Sequence, residues 1–352
     1  VRRSSQASTT VALDAAGIAL LLSGAVWAAI SAALAEGSAL PVTGVFLLTA
    51  VSFALGRVVS AGARWAIPVA VAGGIVAVGW VYRADLPSGG PLSGPLGYSN
   101  ASAALYLQGT IAGLMLWKGG PNPPMRVLGL VLAGVTGVAT VLTGSQAANV
   151  LLLFSLLPVI GPIGRRVHGV IDASATLLVG ALLVSVLLGV AYRSAPSGSG
   201  LDKVVASTLS ARRPALWHDA LTQLSRRPLT GVGPGRFQFE SPVARSDRDA
   251  RWAHNEFLQQ GAEGGVVGLA IILAVFAWGF VRLWVNPRPD AVSALGALSL
   301  ATFGVQACID YLFHFMALPI VVAALLGVAA TPAPRPSSQL IEEDDAGQHV
   351  RA

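Results

Sequence analysis

Charge is scarce in this sequence. Asp, Glu, Lys and Arg make up 11% of it, against about a quarter in soluble domains. A chain that is 54% hydrophobic and so poor in charge cannot cover itself with a water-facing surface, which excludes an ordinary soluble domain. Lysine is almost missing, with only Lys118 and Lys203 beside the arginines. Those arginines punctuate hydrophobic runs instead of forming one stripe with interleaved aromatics, so the net charge of +6 does not indicate nucleic acid. The single cysteine, Cys308, excludes an intramolecular disulfide and hence a disulfide-stapled ectodomain; it reads as a small apolar packing residue. No long stretch alternates in the manner of an outer-membrane barrel strand. Metal ligation is disfavoured, because no second His or Cys stands at ligand spacing from His254.

What the sequence has instead is long apolar runs. About 20 apolar residues cross the hydrocarbon core as a helix, and by that measure ten candidate spans emerge: 11–35, 39–60, 65–83, 98–117, 126–143, 147–163, 169–192, 264–285, 291–309 and 312–330. The sixth is interrupted by Pro158 and Pro162. The 40 glycines fit close helix approach in a membrane. The expected fold is therefore an all-α polytopic membrane protein with about ten transmembrane helices. The opening VRRSSQ has the basic start of a signal peptide, but no small-residue cleavage site closes the next run, so it reads as a retained first helix.

Arginine and lysine in short loops mark the cytoplasmic side. Arg2 and Arg3, Arg57 and Arg64, Lys118 and Arg126, Arg165 and Arg166, and Arg282 and Arg288 fall in alternate connections, with only Arg83 on the other side. Both ends then face the cytoplasm, and 193–263 is one large extracytoplasmic loop. The expected organisation is a seven-span bundle over 1–192, this loop, three spans over 264–330, and a disordered tail over 331–352 that is Pro/Ser-rich and then acidic. Three further polar clusters fall on the loop's side: Tyr98, Ser99 and Asn100; Ser145 and Gln146; and Asp310 with His314. Ionisable groups at membrane depth are costly and mark sites or pathways.

The polar loop holds most of the site-type chemistry. Pro214 suits a first helical turn, and Leu216, Ala220, Leu221 and Leu224 recur at helical spacing up to Pro228. That predicts a short amphipathic helix on the outer leaflet, with Arg212 and Arg213 ahead of it and Arg226 and Arg227 in its last turn. Gly231-Val232-Gly233-Pro234-Gly235 follows, a run whose N–H groups can approach an anion. It is neither a Walker loop nor a dinucleotide fingerprint. Beside Arg213 and Arg236, phosphate or pyrophosphate is the natural guest. Asn255 reads as a helix N-cap with Glu256 in the first turn, and the helix is expected to run through Gly264 and Gly265 into the eighth span. His254 stands just outside it, and an imidazole is the side chain best suited to proton transfer near neutral pH.

In order, Arg213-Pro-Ala-Leu-Trp217, Arg227-Pro228-Leu229, Gly231–Gly235 with Phe237, Ala253-His254-Asn255-Glu256-Phe257-Leu258-Gln259 and Glu263-Gly264-Gly265 resemble the core signature of the O-antigen ligase and O-antigen polymerase superfamily. Weaker echoes are Gly97–Ala101, Thr143-Gly144-Ser145 and the Asp310 region. The resemblance implies a metal-independent, inverting glycosyltransferase of the GT-C type that needs no cofactor. It would sit in the cytoplasmic membrane with its site outside. Its donor would be a glycan on undecaprenyl pyrophosphate, its acceptor a hydroxyl on a glycan, lipid or protein. Carried onto this chain, His254 is the general base and Arg213 binds the departing pyrophosphate. Arg212, Trp217, Gly231, Gly233, Gly235, Arg236, Arg251, Asn255, Glu256, Asn100 and Asp310 are the expected substrate contacts. Relatives often have arginine where Gln146 stands, a charge that Arg193, Arg248 or Arg251 would have to replace, and many have about twelve spans. A multi-pass transporter or a non-catalytic envelope scaffold are the alternative readings; no convincing internal repeat supports the former.

Overall fold

The computed structural model describes residues 2–35, 37–82, 91–160, 166–194, 212–246 and 250–334. Its long helices fall where the apolar runs predict them: α1 (Arg2–Ala35), α2 (Ala39–Ala63), α3 (Ala66–Val81), α4 (Ser99–Gly119), α5 (Pro123–Leu142), α6 (Gln146–Ile160), α7 (Val167–Ser194), α11 (Glu256–Trp284), α12 (Ala291–Ala307) and α13 (Ala317–Ala329). The polar loop contributes α8 (Arg212–Arg226), α9 (Phe237–Glu240) and α10 (Pro242–Ser246). Among the described residues there is no strand, and the chain is an all-α polytopic membrane protein. Residues 8–35, 39–63, 123–142, 167–191 and 256–284 are long and apolar enough to cross a membrane by length and composition; four further apolar helices are shorter. Arg83, Pro162, Arg165, Arg248 and the tail beyond residue 334 lie outside the described residues, as do the side chains of Arg2, Arg3 and Arg193.

The centre of the bundle is α4, buried on every face from Ala101 to Leu116. A helix apolar all round belongs inside other helices, and α4 packs against α3, α5, α12 and α13. Its few polar groups find partners within the bundle: Gln108 Nε2 donates to the Ser299 carbonyl at 3.2 Å and Ser299 Oγ donates back to Gln108 Oε1 at 2.6 Å. Small residues set a close crossing between α2 and α13. A Cβ on Gly56 would lie 2.3 Å from the Ala324 carbonyl oxygen, and one on Gly327 would lie 2.5 Å from that of Phe53. Backbones approach this closely only where side chains are absent.

One end of the bundle is tied by charge. Asp14 of α1 accepts from Arg57 Nε of α2 at 2.9 Å and from Arg282 Nε of α11 at 2.6 Å. Arg282, fully buried, also donates to the Ala330 carbonyl beyond α13, and Arg57 donates to Thr331 Oγ1. Arg64 after α2 pairs with Asp290, which caps α12. The connections that carry Arg57, Arg64 and Arg282 therefore share this end, and the polar loop lies at the other.

Three expectations about helix geometry are corrected. The eighth span is not one straight helix: Gly265 (φ 67°, ψ −168°) breaks α11 into an outer segment and a long inner one. The tenth span does not begin at residue 312. A 3₁₀ turn, Leu312–His314, precedes α13, which at 13 residues rises roughly 20 Å and is sheltered by neighbours that leave little of it exposed. The amphipathic helix α8 does not use its apolar face on lipid. Leu216, Trp217 and Ala220 pack with Phe237, Ala244, Ala253, Leu258 and Ala262 in a separate outer core, because α7 and α11 offer it a protein surface.

Asp14→Ala removes the partner of a guanidinium that has no solvent to turn to, a loss of about 3–5 kcal/mol for a buried pair. The expected result is a melting temperature in detergent well below wild type, largely restored when Arg282 is replaced by Met in the same chain.

Candidate active site

The break at Gly265 builds the floor of the site. Carbonyls freed from helical bonding there are claimed by other segments. The Ala262 oxygen accepts from Val232 N at 2.8 Å, the Glu263 oxygen from Gly233 N at 2.9 Å, and the Gly264 oxygen from Trp27 Nε1 at 2.8 Å. Val266 N in turn donates to the Pro228 carbonyl at 2.7 Å. The glycine loop thus lies along the broken turn at backbone contact. A Cβ on Gly231 (φ 66°) would sit 2.4 Å from the Glu263 carbonyl carbon, and one on Gly265 would sit 2.1 Å from the Leu229 oxygen. Conformations of this kind are open to glycine and costly for other residues.

The loop does bind a carboxyl group, but that group belongs to the chain, and burial pushes it up to about 7 against the pull of the loop's N–H groups. Gly235 N donates to Glu263 Oε2 at 3.0 Å and Phe237 N to Glu263 Oε1 at 3.1 Å. Gly231 N and Arg236 N are bonded to the Arg227 and Gly233 carbonyls. With these donors used, the expectation that Gly231, Gly233 and Gly235 cradle a phosphate through their N–H groups is corrected: the nest is filled by Glu263. Arg236 lies 3.5 Å from Glu240.

Above this floor one carboxylate gathers groups from three distant segments and its own turn. Asp310, in the turn after α12, is 3% exposed. Its Oδ2 accepts from Tyr98 Oη at 2.7 Å and Asn100 Nδ2 at 2.8 Å, with Arg213 NH2 at 3.7 Å. Its Oδ1 accepts from the Tyr311 N–H at 2.9 Å and faces His254 Nδ1 at 3.2 Å. Burial alone would raise the Asp310 carboxyl. The His254 hydrogen bond and charge, the Arg213 guanidinium and the Tyr98 hydroxyl together outweigh it and hold the carboxyl below its usual range. The neighbouring phenols shift the other way: burial first, then the Asp310 charge, push Tyr98 above its ordinary value and Tyr311 up to about 12.

An ionised carboxylate opposite Nδ1 fixes the His254 tautomer: the proton sits on Nδ1, and Nε2 keeps its lone pair. The imidazole is also held by its backbone. His254 has φ 48°, the left-handed region that side-chain-bearing residues rarely adopt and that clusters at functional sites. Its carbonyl accepts from Trp217 Nε1 at 3.2 Å, Ala253 N donates to Gln259 Oε1 at 2.9 Å, and its ring meets Tyr311 edge-on at 4.9 Å.

Of the residues the sequence singles out, Arg213, Asn100, Asp310 and His254 come together. Arg213, Asn100 and Asp310 line a polar cavity of about 360 Å³ with Ser145, Gln146 and Gln306. Others act from behind. Trp217 is buried and holds His254; Asn255 caps α11 by accepting from Leu258 N. Glu256, also buried, accepts from Phe313 N and pairs with His314 Nδ1 at 3.4 Å. Burial opposes charge on His314, but the Glu256 carboxylate outweighs it and raises the imidazole above its usual value. Arg212 and Arg251 are exposed at the rim of the loop region. Residues without a sequence-assigned role here are Tyr98, Gln306 and Tyr311, and Glu263 as the group the loop binds. No spacing links Asp310 to His254, 56 residues apart. Among the described residues, no three His, Cys, Asp or Glu side chains converge as a metal site would need.

The chain resembles known proteins over this same region. Residues 128–273 match the O-antigen ligase family, a stretch that contains Arg213, the glycine loop and His254. Similarity extends to an O-antigen ligase of Pseudomonas aeruginosa, 29% identical over 209 residues, which is 58% of this chain and 46% of that protein. The chain thus spans about half the length of the curated relative it matches. The matched stretch holds both Arg213 and His254, which meet at Asp310, and over it the chain is similar to the O-antigen ligase family.

Proposed function

We propose that the protein is a membrane glycosyltransferase of surface polysaccharide biosynthesis. It transfers or polymerises a glycan from an undecaprenyl-pyrophosphate-linked donor onto an acceptor hydroxyl outside the cytoplasmic membrane. The observation that carries this reading is the Asp310–His254 pair, 3.2 Å apart, next to Arg213. It supplies a proton acceptor of fixed tautomer beside a guanidinium that can take a phosphate, the two groups such a displacement needs.

In the step itself, His254 Nε2 accepts the proton of the acceptor hydroxyl as its oxygen bonds to the sugar C1. The bond from C1 to the phosphate oxygen breaks, and its electron pair leaves with the lipid pyrophosphate. Attack opposite the leaving group inverts C1. Asp310 stabilises the imidazolium that forms and is not itself protonated. Arg213 offsets the charge growing on the pyrophosphate, a contribution largest where water is excluded. Asn100 and Tyr98 already donate to Asp310, so they orient the pair. A pyrophosphate is a good leaving group, and orientation with one base and one cation suffices. The similarity to the O-antigen ligase family and the meeting of His254 and Arg213 at Asp310 together support this reading above transport or scaffolding.

His254→Ala should lower glycan transfer by about 10²- to 10⁴-fold in a protein that still folds and inserts in the membrane. Wild-type glycan ladders or ligated product from that variant would remove the assignment. Asp310→Asn should cost on the order of 10³-fold in turnover, since an amide can present its N–H to Nδ1 and turn the lone pair away from the substrate. Because the native Asp310 carboxyl is held low, its stabilisation is present above the ordinary carboxylate value near pH ~3.9 and lost as pH falls through the lower, folded one. Melting curves of wild type and Asp310→Asn should therefore be separated at neutral pH and converge in acid. Gln146→Arg, by adding a second guanidinium to the polar cavity, should lower the donor KM about fivefold at low salt, a gain that fades as salt rises.

A further inference from the structure

Arg226 and Arg227, at the end of α8 away from Arg213, take no part in the site described above. Both are exposed, and among the described residues neither guanidinium meets a carboxylate. Their height relative to the bilayer follows from what α8 lies on. It crosses the ends of two long apolar helices. A Cβ on Gly189 of α7 would stand 3.2 Å from Trp217 and Leu221, and one on Gly261 of α11 would stand 3.4 Å from Leu224. The apolar face of α8 is used on this protein surface, so only its last turn and the chain after it reach past the bundle.

That chain stops at the edge of the lipid-facing part of α11. Beyond the break at Gly265, Val266, Leu273, Val281 and Trp284 are exposed, and their helical spacing sets them on one face. In a polytopic membrane protein such an uncovered apolar stripe is the face turned to lipid. From Val266 to Trp284 it rises roughly 27 Å, close to the thickness of a hydrocarbon core, about 30 Å. Val266 therefore marks the membrane boundary on the loop's side. Its N–H donates to the Pro228 carbonyl at 2.7 Å, and a Cβ on the preceding Gly265 would lie 2.1 Å from the Leu229 oxygen. Pro228 and Leu229 are held at that boundary by backbone contact. Leu229 is nonetheless 65% exposed, an apolar side chain without protein cover at the level where acyl chains begin. Arg226 and Arg227 are two and three residues away, within about 11 Å, which puts their guanidinium groups in reach of the headgroup layer.

We propose that Arg226 and Arg227 bind the phosphates of anionic phospholipids in the leaflet on the loop's side, with Leu229 seated among the uppermost acyl carbons. A guanidinium fork matches phosphate oxygens, and an apolar residue below a pair of cations is the order an interfacial anchor needs. A phospholipid uses both halves of this feature, where a soluble anion uses one. Two cations without a carboxylate beside them leave a net charge that an anionic lipid balances and a zwitterionic lipid does not. The inference goes beyond the transferase reading and does not depend on it. Its consequence for the molecule is that α8 is tied to the bilayer at one end, and Arg213 stands at the other, roughly 20 Å away.

The test uses the full chain in phosphatidylcholine vesicles that contain a trace of phosphatidylglycerol with a diazirine in its headgroup. Photolabelling is expected on the segment from Ser225 to Thr230. Replacing part of the host lipid by unlabelled phosphatidylglycerol should suppress it about fivefold or more, and the same amount of phosphatidylethanolamine less than about twofold. Arg226→Gln with Arg227→Gln should lower it about 30-fold at low salt, since each basic residue at an anionic surface contributes about fivefold. Arg226→Lys with Arg227→Lys, which keeps both charges, should retain most of it. A nitroxide on Leu229→Cys should meet oxygen dissolved in the bilayer more often than a water-soluble nickel complex. Wild-type labelling of the glutamine pair, or equal suppression by phosphatidylethanolamine, would overturn the proposal. Suppression by glycerol phosphate in solution would make this a site for soluble anions and overturn it too, as would a nitroxide that meets the nickel complex more often than oxygen.

Discussion

The Asp310 carboxylate is the point on which the outer half of the molecule converges. It has five donors within 3.7 Å, drawn from the entrance of α4, the first turn of α8, the residue before the α11 cap and its own turn. A buried carboxylate without such partners would be costly enough to take up a proton. Here the donors keep it charged, and each is in turn located by it. Arg213 and His254 are brought near one another because both answer the same negative charge. The positive φ of His254, the indole that holds its carbonyl and the capping of α11 by Asn255 all serve a ring orientation that the Asp310 bond defines.

A second internal carboxyl group does comparable work one layer lower. Glu263 fills the nest of the glycine loop, and the break at Gly265 frees the carbonyls to which that loop bonds. The two features depend on each other. Without the break, Ala262 and Glu263 would bond within the helix and leave the loop N–H groups unsatisfied. Without the loop, the broken turn would carry orphan carbonyls at the membrane boundary, where each costs several kcal/mol. The glycines are therefore accounted for by close approach to backbone, and the loop's link to the site is that it fixes where α11 begins.

Much of this architecture is legible in the sequence. The apolar runs place the long helices, since a span must be about 20 residues and apolar wherever it meets lipid, although α1 begins at Arg2 and α11 at Glu256, each well before the run that predicts it. The exceptions have physical causes. α4 carries Asn100, Gln108 and Thr110 because it meets protein on every face, and α13 is short because its neighbours, not lipid, surround it. The motif order points to His254 and Arg213, and Asn100 and Asp310 are recognisable as polar residues out of place. Their association is not legible, because the contact between Asp310 and His254 is made by helix packing across 56 residues and leaves no local pattern. The glycine loop was misleading for the same reason: a run able to bind an anion does not reveal that the group it binds lies 28 residues downstream in the same chain.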